Sequence, residues 1–252
     1  MSGSFPSHRL LLVVLALLSL FARPASAQDD GFAQANEEYA AGRFQEAIDL
    51  YGTLVDRGQT SAALFYNLGN AWYRTGDLGQ AILNYERALV LDPRQPETEA
   101  NLRLVRDKAR ALELRQGRIE RALGRATPMQ LAIAAAVSFW FAAFALVGLI
   151  SSRRRRFSTL SAGLVVSLLF LATSVYALHI LETGSAGRFL AIVTAKSTDA
   201  RVATADSAST VLTLPPGTQI KILSTRGDWI YAALPNNLRG WIPARDAERV
   251  RL

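Results

Sequence analysis

The chain has 252 residues, half of them hydrophobic, no cysteine and two histidines, which excludes disulfides, thiolate metal sites and cysteine nucleophiles. His8 precedes one long apolar run and His179 lies in another, so the polar segments also lack the commonest general base and metal ligand. The formal charge of +7 is local: apart from Arg9, Arg23 and the run Arg153, Arg154, Arg155 and Arg156, the chain carries 22 basic and 21 acidic residues, which excludes a basic nucleic-acid-binding face.

Arg9 is followed by an apolar stretch from Leu10 to Phe21, then by Pro24, Ala25, Ser26 and Ala27. A basic start, a short apolar core and an Ala-x-Ala exit make residues 1–27 a signal peptide, cut before Gln28. The twelve residues of its core, apolar but for Ser19, are too few to cross a bilayer as a helix.

Residues 28–95 repeat with a period of 34. Ala35 matches Gly69, Tyr39 matches Tyr73, Gly42 matches Gly76, Ala47 matches Ala81 and Tyr51 matches Tyr85. Each unit reads as two amphipathic helices with the glycine at the turn and small residues where the helices approach. This module carries five basic and ten acidic residues. Two repeats leave an apolar face bare at the end of the stack. Residues 96–128 supply a cover, because Leu102, Val105, Ala109, Leu112 and Ile119 recur at helical spacing; this predicts a capping helix that continues as a stem.

Met129 to Ile150 and Thr159 to Leu181 contain no Asp, Glu, Lys or Arg and are 22 and 23 residues long, enough for two transmembrane helices, 129–150 and 159–181. The loop between them, 151–158, holds the four arginines. A short arginine-rich loop stays cytoplasmic, so the flanking domains face outward across the cytoplasmic membrane, as an export signal also requires. Small residues at four-residue spacing, Ala134, Ser138 and Ala142 in the first span and Gly163 and Ser167 in the second, allow close helix packing.

From Phe189 the apolar period changes to two. Short strands are expected at 189–194, 200–203, 210–214, 218–224, 228–234 and 238–242. Pro215-Pro216-Gly217, Arg226-Gly227 and Pro235-Asn236-Asn237 supply the turns, and residues 186–252 fit a small closed barrel.

The second repeat, with Phe65, Leu68, Gly69, Trp72, Gly76, Ala81, Tyr85, Ala88 and Pro93, resembles the tetratricopeptide consensus. That resemblance implies a ligand groove along the first helix of each pair, showing Phe32, Asn36, Tyr39, Tyr66, Asn70, Tyr73 and Arg74. Some members grip a C-terminal carboxylate with asparagines and basic residues. Here Asn36 and Asn67 stand at the asparagine positions, but Phe32, Glu97 and Asn101 replace the basic ones, so that activity is not expected. The run Leu214-Pro215-Pro216-Gly217, with Gly227-Asp228-Trp229 and Gly240-Trp241-Ile242-Pro243, resembles bacterial SH3-like domains, which makes Trp229 and Trp241 a candidate ligand shelf.

The order of parts resembles the BatE-type proteins of the Bacteroides aerotolerance group, and so does the stretch Ala63-Leu64-Phe65-Tyr66-Asn67-Leu68-Gly69-Asn70-Ala71-Trp72-Tyr73. This implies membrane-protein partners with von Willebrand factor A domains and a link to stress tolerance. The expected fold is multidomain: an all-α helical repeat, a two-helix transmembrane hairpin in lipid, and an all-β SH3-like barrel. The expected function is a non-enzymatic protein-interaction scaffold with no cofactor and no metal. The competing expectation is a peptidoglycan binder acting through the barrel.

Overall fold

Gly42 and Gly76 adopt left-handed backbone (φ of 80° and 88°) and sit one repeat period apart. That conformation is open to glycine at little cost, so each ends one helix and turns the chain into the next. The computed structural model describes residues 26–123, 126–151, 157–185 and 187–252. Most of the expected signal peptide and the whole tetra-arginine run lie outside the described residues. Five helices build the repeat region: α1 (Ser26–Ala40), α2 (Phe44–Asp56), α3 (Ala62–Thr75), α4 (Leu78–Leu91) and α5 (Pro96–Ala109). The starts of α3 and α4 carry side-chain caps, and a proline marks that of α5. The Ser61 hydroxyl accepts from the Leu64 amide at 3.1 Å, the Asp77 carboxylate accepts from Gln80 at 3.0 Å, and Pro96 opens α5.

The apolar stripes of these helices meet in two cores. Ala35, Ala47, Tyr51, Leu54, Phe65 and Leu68 fill the first. Ala81, Ile82, Leu83, Tyr85, Leu102 and Val105 begin the second. Gly69 lies so close to Tyr85 that an added Cβ would stand 2.8 Å from the ring.

The capping helix does not run unbroken through the stem expected over 96–128, and Gly117 and Gly124 already speak against one rigid rod. It stops at Ala109, with Arg110 in left-handed backbone (φ 52°), and the chain then runs without helix until the short α6 (Arg118–Leu123). The sheet competes successfully for this segment. The Gln219 amide donates to the Leu112 carbonyl at 2.9 Å, and the Leu114 amide donates to the Gln219 side chain at 3.2 Å. Ile119, expected on the buried stripe, is 61% exposed.

Two long apolar helices follow, α7 (Pro128–Ser151) and α8 (Phe157–Thr183), with mean hydropathies of 2.3 and 2.2 over their most apolar windows and little of those windows buried. They are long and apolar enough to cross a membrane. A reciprocal box starts α7: Gln130 donates to the Thr127 hydroxyl at 3.2 Å and Thr127 to the Gln130 side chain at 3.0 Å. The helices pack side by side, with Ala142, Ser174 and Ala177 buried. Of the small residues singled out above, Ser138 and Ser167 are half-buried, whereas Ala134 and Gly163 are exposed, away from the contact.

The C-terminal region is an antiparallel sheet of seven strands: β1 (Leu190–Val193), β2 (Thr198–Arg201), β3 (Thr210–Leu214), β4 (Gln219–Arg226), β5 (Trp229–Ala233), β6 (Arg239–Pro243) and β7 (Ala247–Arg249). The order is β3-β2-β6-β5-β4-β1-β7. Closure was expected and does not occur: β3 and β7 are edges. The edge of β1 that a closing strand would need is taken by β7, and β7 is only three residues long. One face of the sheet still gathers a single core around Val193, Ala200, Leu214, Ile220, Ile230 and Ile242. The seventh strand, and a start for β2 two residues earlier than expected, escaped the alternation pattern because both are short and charged.

All four residues of β1 are buried, because the strand serves two cores. Ala191 and Val193 point into the sheet, while Leu190 and Ile192 join the second helical core beside Ile82, Leu83 and Val250. The end of the repeat stack is therefore covered by α5 and by the sheet together.

Candidate partner-binding faces

The residues expected along the groove fall into two kinds of environment. Asn36 and Asn70 are fixed in a ladder. The Asn36 Oδ1 accepts from the Tyr51 hydroxyl at 2.5 Å and from Asn67 Nδ2 at 2.8 Å. One period later, the Asn70 Oδ1 accepts from the Tyr85 hydroxyl at 2.7 Å and from Asn101 Nδ2 at 3.1 Å. Asn101 also donates to the Tyr66 hydroxyl at 3.3 Å. Each rung links three consecutive helices through one amide oxygen. The spacing Asn36, Asn67, Asn70, Asn101 was in the sequence, and the step of 34 from Asn67 to Asn101 marks α5 as the first helix of a third unit. Burial pushes the Tyr51 hydroxyl up to about 12 and the Tyr85 hydroxyl higher still, which keeps both neutral donors.

Tyr39, Tyr73 and Arg74 stand outside the ladder. Tyr39 meets Phe44 edge-on at 5.3 Å, and the Arg74 guanidinium lies 4.5 Å above the same Phe44 ring. Lys108 places its ammonium 4.6 Å above Tyr73. These are cation–π contacts that hold a positive charge over a flat apolar surface. Phe32 packs on Tyr51 with ring centroids 5.9 Å apart. All of the tyrosines singled out are half-buried, and Arg74 is exposed. Phe44 and Lys108 are members of this surface that the repeat pattern did not single out. The basic end of the face is an island on an otherwise acidic module.

On the sheet, Trp229 and Trp241 share the outward face but are not directly opposite. Trp229 registers with Pro243 and Arg226, and Trp241 registers with Tyr231 and Arg201. The Tyr231 and Trp241 rings lie 5.0 Å apart at 37°, and Arg226 stands 5.9 Å from the Trp241 ring. Tyr231 completes a half-buried aromatic strip. Its position two residues after Trp229 already assigned it to that face. Among the described residues no cluster of His, Cys, Asp and Glu could hold a metal ion.

Residues 32–96 match the tetratricopeptide repeat family. No curated protein matches the chain. Among solved structures, the type III secretion chaperone SycD of Yersinia enterocolitica, in complex with a peptide of the translocator YopD, aligns at 16% identity over 61% of this chain and 95% of that one, with a TM-score of 0.32. SycD determined as the translocator chaperone alone gives 16%, 66%, 95% and 0.33. TM-scores at this level mark no common overall fold.

Proposed function

We propose that the protein is a non-enzymatic scaffold in which the tetratricopeptide face binds a protein segment beside a membrane. The observation that carries this reading is the surface formed by Tyr39, Tyr73, Phe44 and Arg74, held rigid by the asparagine ladder behind it. A peptide laid along α1, α3 and α5 meets flat aromatic surface with cations at one end, a match for a segment of apolar residues ending in acidic ones. Phe32, Asn36, Tyr66 and Asn70 form the floor of the same groove. The helices α7 and α8 anchor this head in the cytoplasmic membrane, with Arg153, Arg154, Arg155 and Arg156 on the cytoplasmic side and both flanking domains outside. The open sheet is an SH3-like domain. The resemblance to BatE-type proteins points to membrane proteins with von Willebrand factor A domains as partners, and to a role in aerotolerance or stress.

The test is capture of the full-length protein from detergent-solubilised membranes with photo-crosslinkers at Tyr39 and Tyr73. Crosslinks to membrane proteins carrying such domains are expected. Changing Tyr39 and Tyr73 to serine leaves the ladder intact and should lower capture by about tenfold or more, as loss of aromatic anchors does. Unchanged capture rules the groove out. Orientation is read separately. Single cysteines at Gln59 and Ser185 should react with an impermeant thiol reagent in spheroplasts, and one at Ser158 should not.

A second reading rests on the strip of Trp229, Tyr231 and Trp241, which suits a cell-wall peptide. Under it, Trp241→Ala abolishes binding to purified peptidoglycan, while the Tyr39 and Tyr73 changes leave it untouched.

A further inference from the structure

The place where the head meets the first apolar helix has a feature the groove does not use. A cleft of about 380 Å³ opens between α4, the chain after β7 and the first residue of α7. Phe65, Arg87, Val90, Leu91, Pro128 and Arg251 line it. Two opposed properties coincide there. Val90 and Leu91 leave 41% and 50% of their surface exposed, although they end a helix whose remaining apolar residues are largely covered. Beside them, the Nε atoms of Arg87 and Arg251 are buried with no hydrogen-bond partner.

Arg87 is not loose. Its Nη2 donates to the Arg249 carbonyl at 3.1 Å and to the Glu248 carboxylate at 3.3 Å, so its guanidinium is held in place at the wall of the cleft. Arg87 and Arg251 both line the cleft, and a guanidinium at its wall suits an anion better than any neutral group. A small soluble anion would leave Val90 and Leu91 bare. A ligand with a phosphate at one end and hydrocarbon at the other satisfies both halves of the cleft.

Position identifies the source. Pro128 is the first residue of α7, so the cleft opens at the level where that helix would enter hydrocarbon. Residues 96–128 and 183–252, which flank the hairpin, carry net charges of +3 and +4, the sign that attracts anionic lipid. We propose that the cleft is a binding site for one anionic phospholipid: its phosphate lies between Arg87 and Arg251, and an acyl chain crosses Leu91 and Val90 on its way down α7. This rests on the reading that α7 and α8 cross a bilayer.

The absence of native cysteine allows a direct test. Full-length protein with a fluorophore at Thr60→Cys, on the rim of the cleft, is placed in phosphatidylcholine vesicles with or without phosphatidylglycerol brominated on its acyl chains. A probe at Phe144→Cys reports on the span and one at Gln45→Cys on the distant helix α2. Quenching at 60 by brominated phosphatidylglycerol is expected, with none at 45. Arg251→Gln should weaken that preference for anionic lipid about fivefold, the effect of one arginine near a charged membrane surface, without changing the thermal melt. Quenching at 144 but not at 60 overturns the lipid site alone. Quenching at 60 that Arg251→Gln leaves unchanged also overturns it, as does displacement by inorganic phosphate, which would make the occupant a soluble anion. Absence of quenching at 144 overturns the bilayer reading, and the lipid site with it.

Discussion

Asn36 and Asn70 each satisfy two donors from neighbouring helices with one amide oxygen, and this makes them structural as well as surface residues. Tyr85→Phe keeps the ring against Gly69 and removes only the hydroxyl, so it should cost about 1 kcal/mol in urea denaturation, the net worth of one such hydrogen bond. The same hydroxyls set an alkaline limit. Burial raises Tyr51 from its ordinary value of 10 to about 12, so an unfolded chain gives up that proton first. The stability from this group is fully present below pH 10 and is lost as pH rises towards 12. Denaturation midpoints measured across that range should fall, and Tyr51→Phe should flatten the fall.

Helix pairs approach closely where glycine permits it. Gly69→Ala would drive a methyl group into the Tyr85 ring and should destabilise the repeat by about 1–3 kcal/mol, measured as a lower thermal midpoint. The elements most legible in the sequence were those with strong local chemistry: the pairs α1–α2 and α3–α4, announced by Gly42, Gly76 and the matched tyrosines, and the two long apolar helices. The stem was less legible, because Leu112 and Ile119 continue the helical period of α5 beyond the point where the helix stops. What decides that segment is hydrogen bonding to Thr218 and Gln219 at the start of β4, more than 100 residues away along the chain. The groove residues were legible as a repeat, but periodicity gives position and not partners. It could not say that Asn36 and Asn70 face Tyr51 and Tyr85 while Tyr39 and Tyr73 do not.

At the scale of the molecule, the repeat stack and the sheet form one head. A Cβ on Gly79 would stand 2.7 Å from the Thr194 carbonyl oxygen, and one on Gly217 would collide with Ile82. Gln80 donates to Glu248 at 2.7 Å, and Glu86 binds both Arg106 and, at 2.8 Å, Gln219. With an apolar core and these polar bonds across the boundary, urea unfolding of the head should be a single transition by tryptophan fluorescence and by circular dichroism. Gly79→Ala should pry the two parts apart and split that transition in two. A wild-type head that melts in two steps would show the parts to be independent.

The two-faced strand β1 bears on how the protein can be cut. A fragment ending at Leu123, ahead of the two long apolar helices, lacks Leu190 and Ile192, and Ile82 and Leu83 then meet water. Such a fragment should clump during purification even though each of its repeats is intact, and appending the sheet, rather than adding further repeats, should return it to solution.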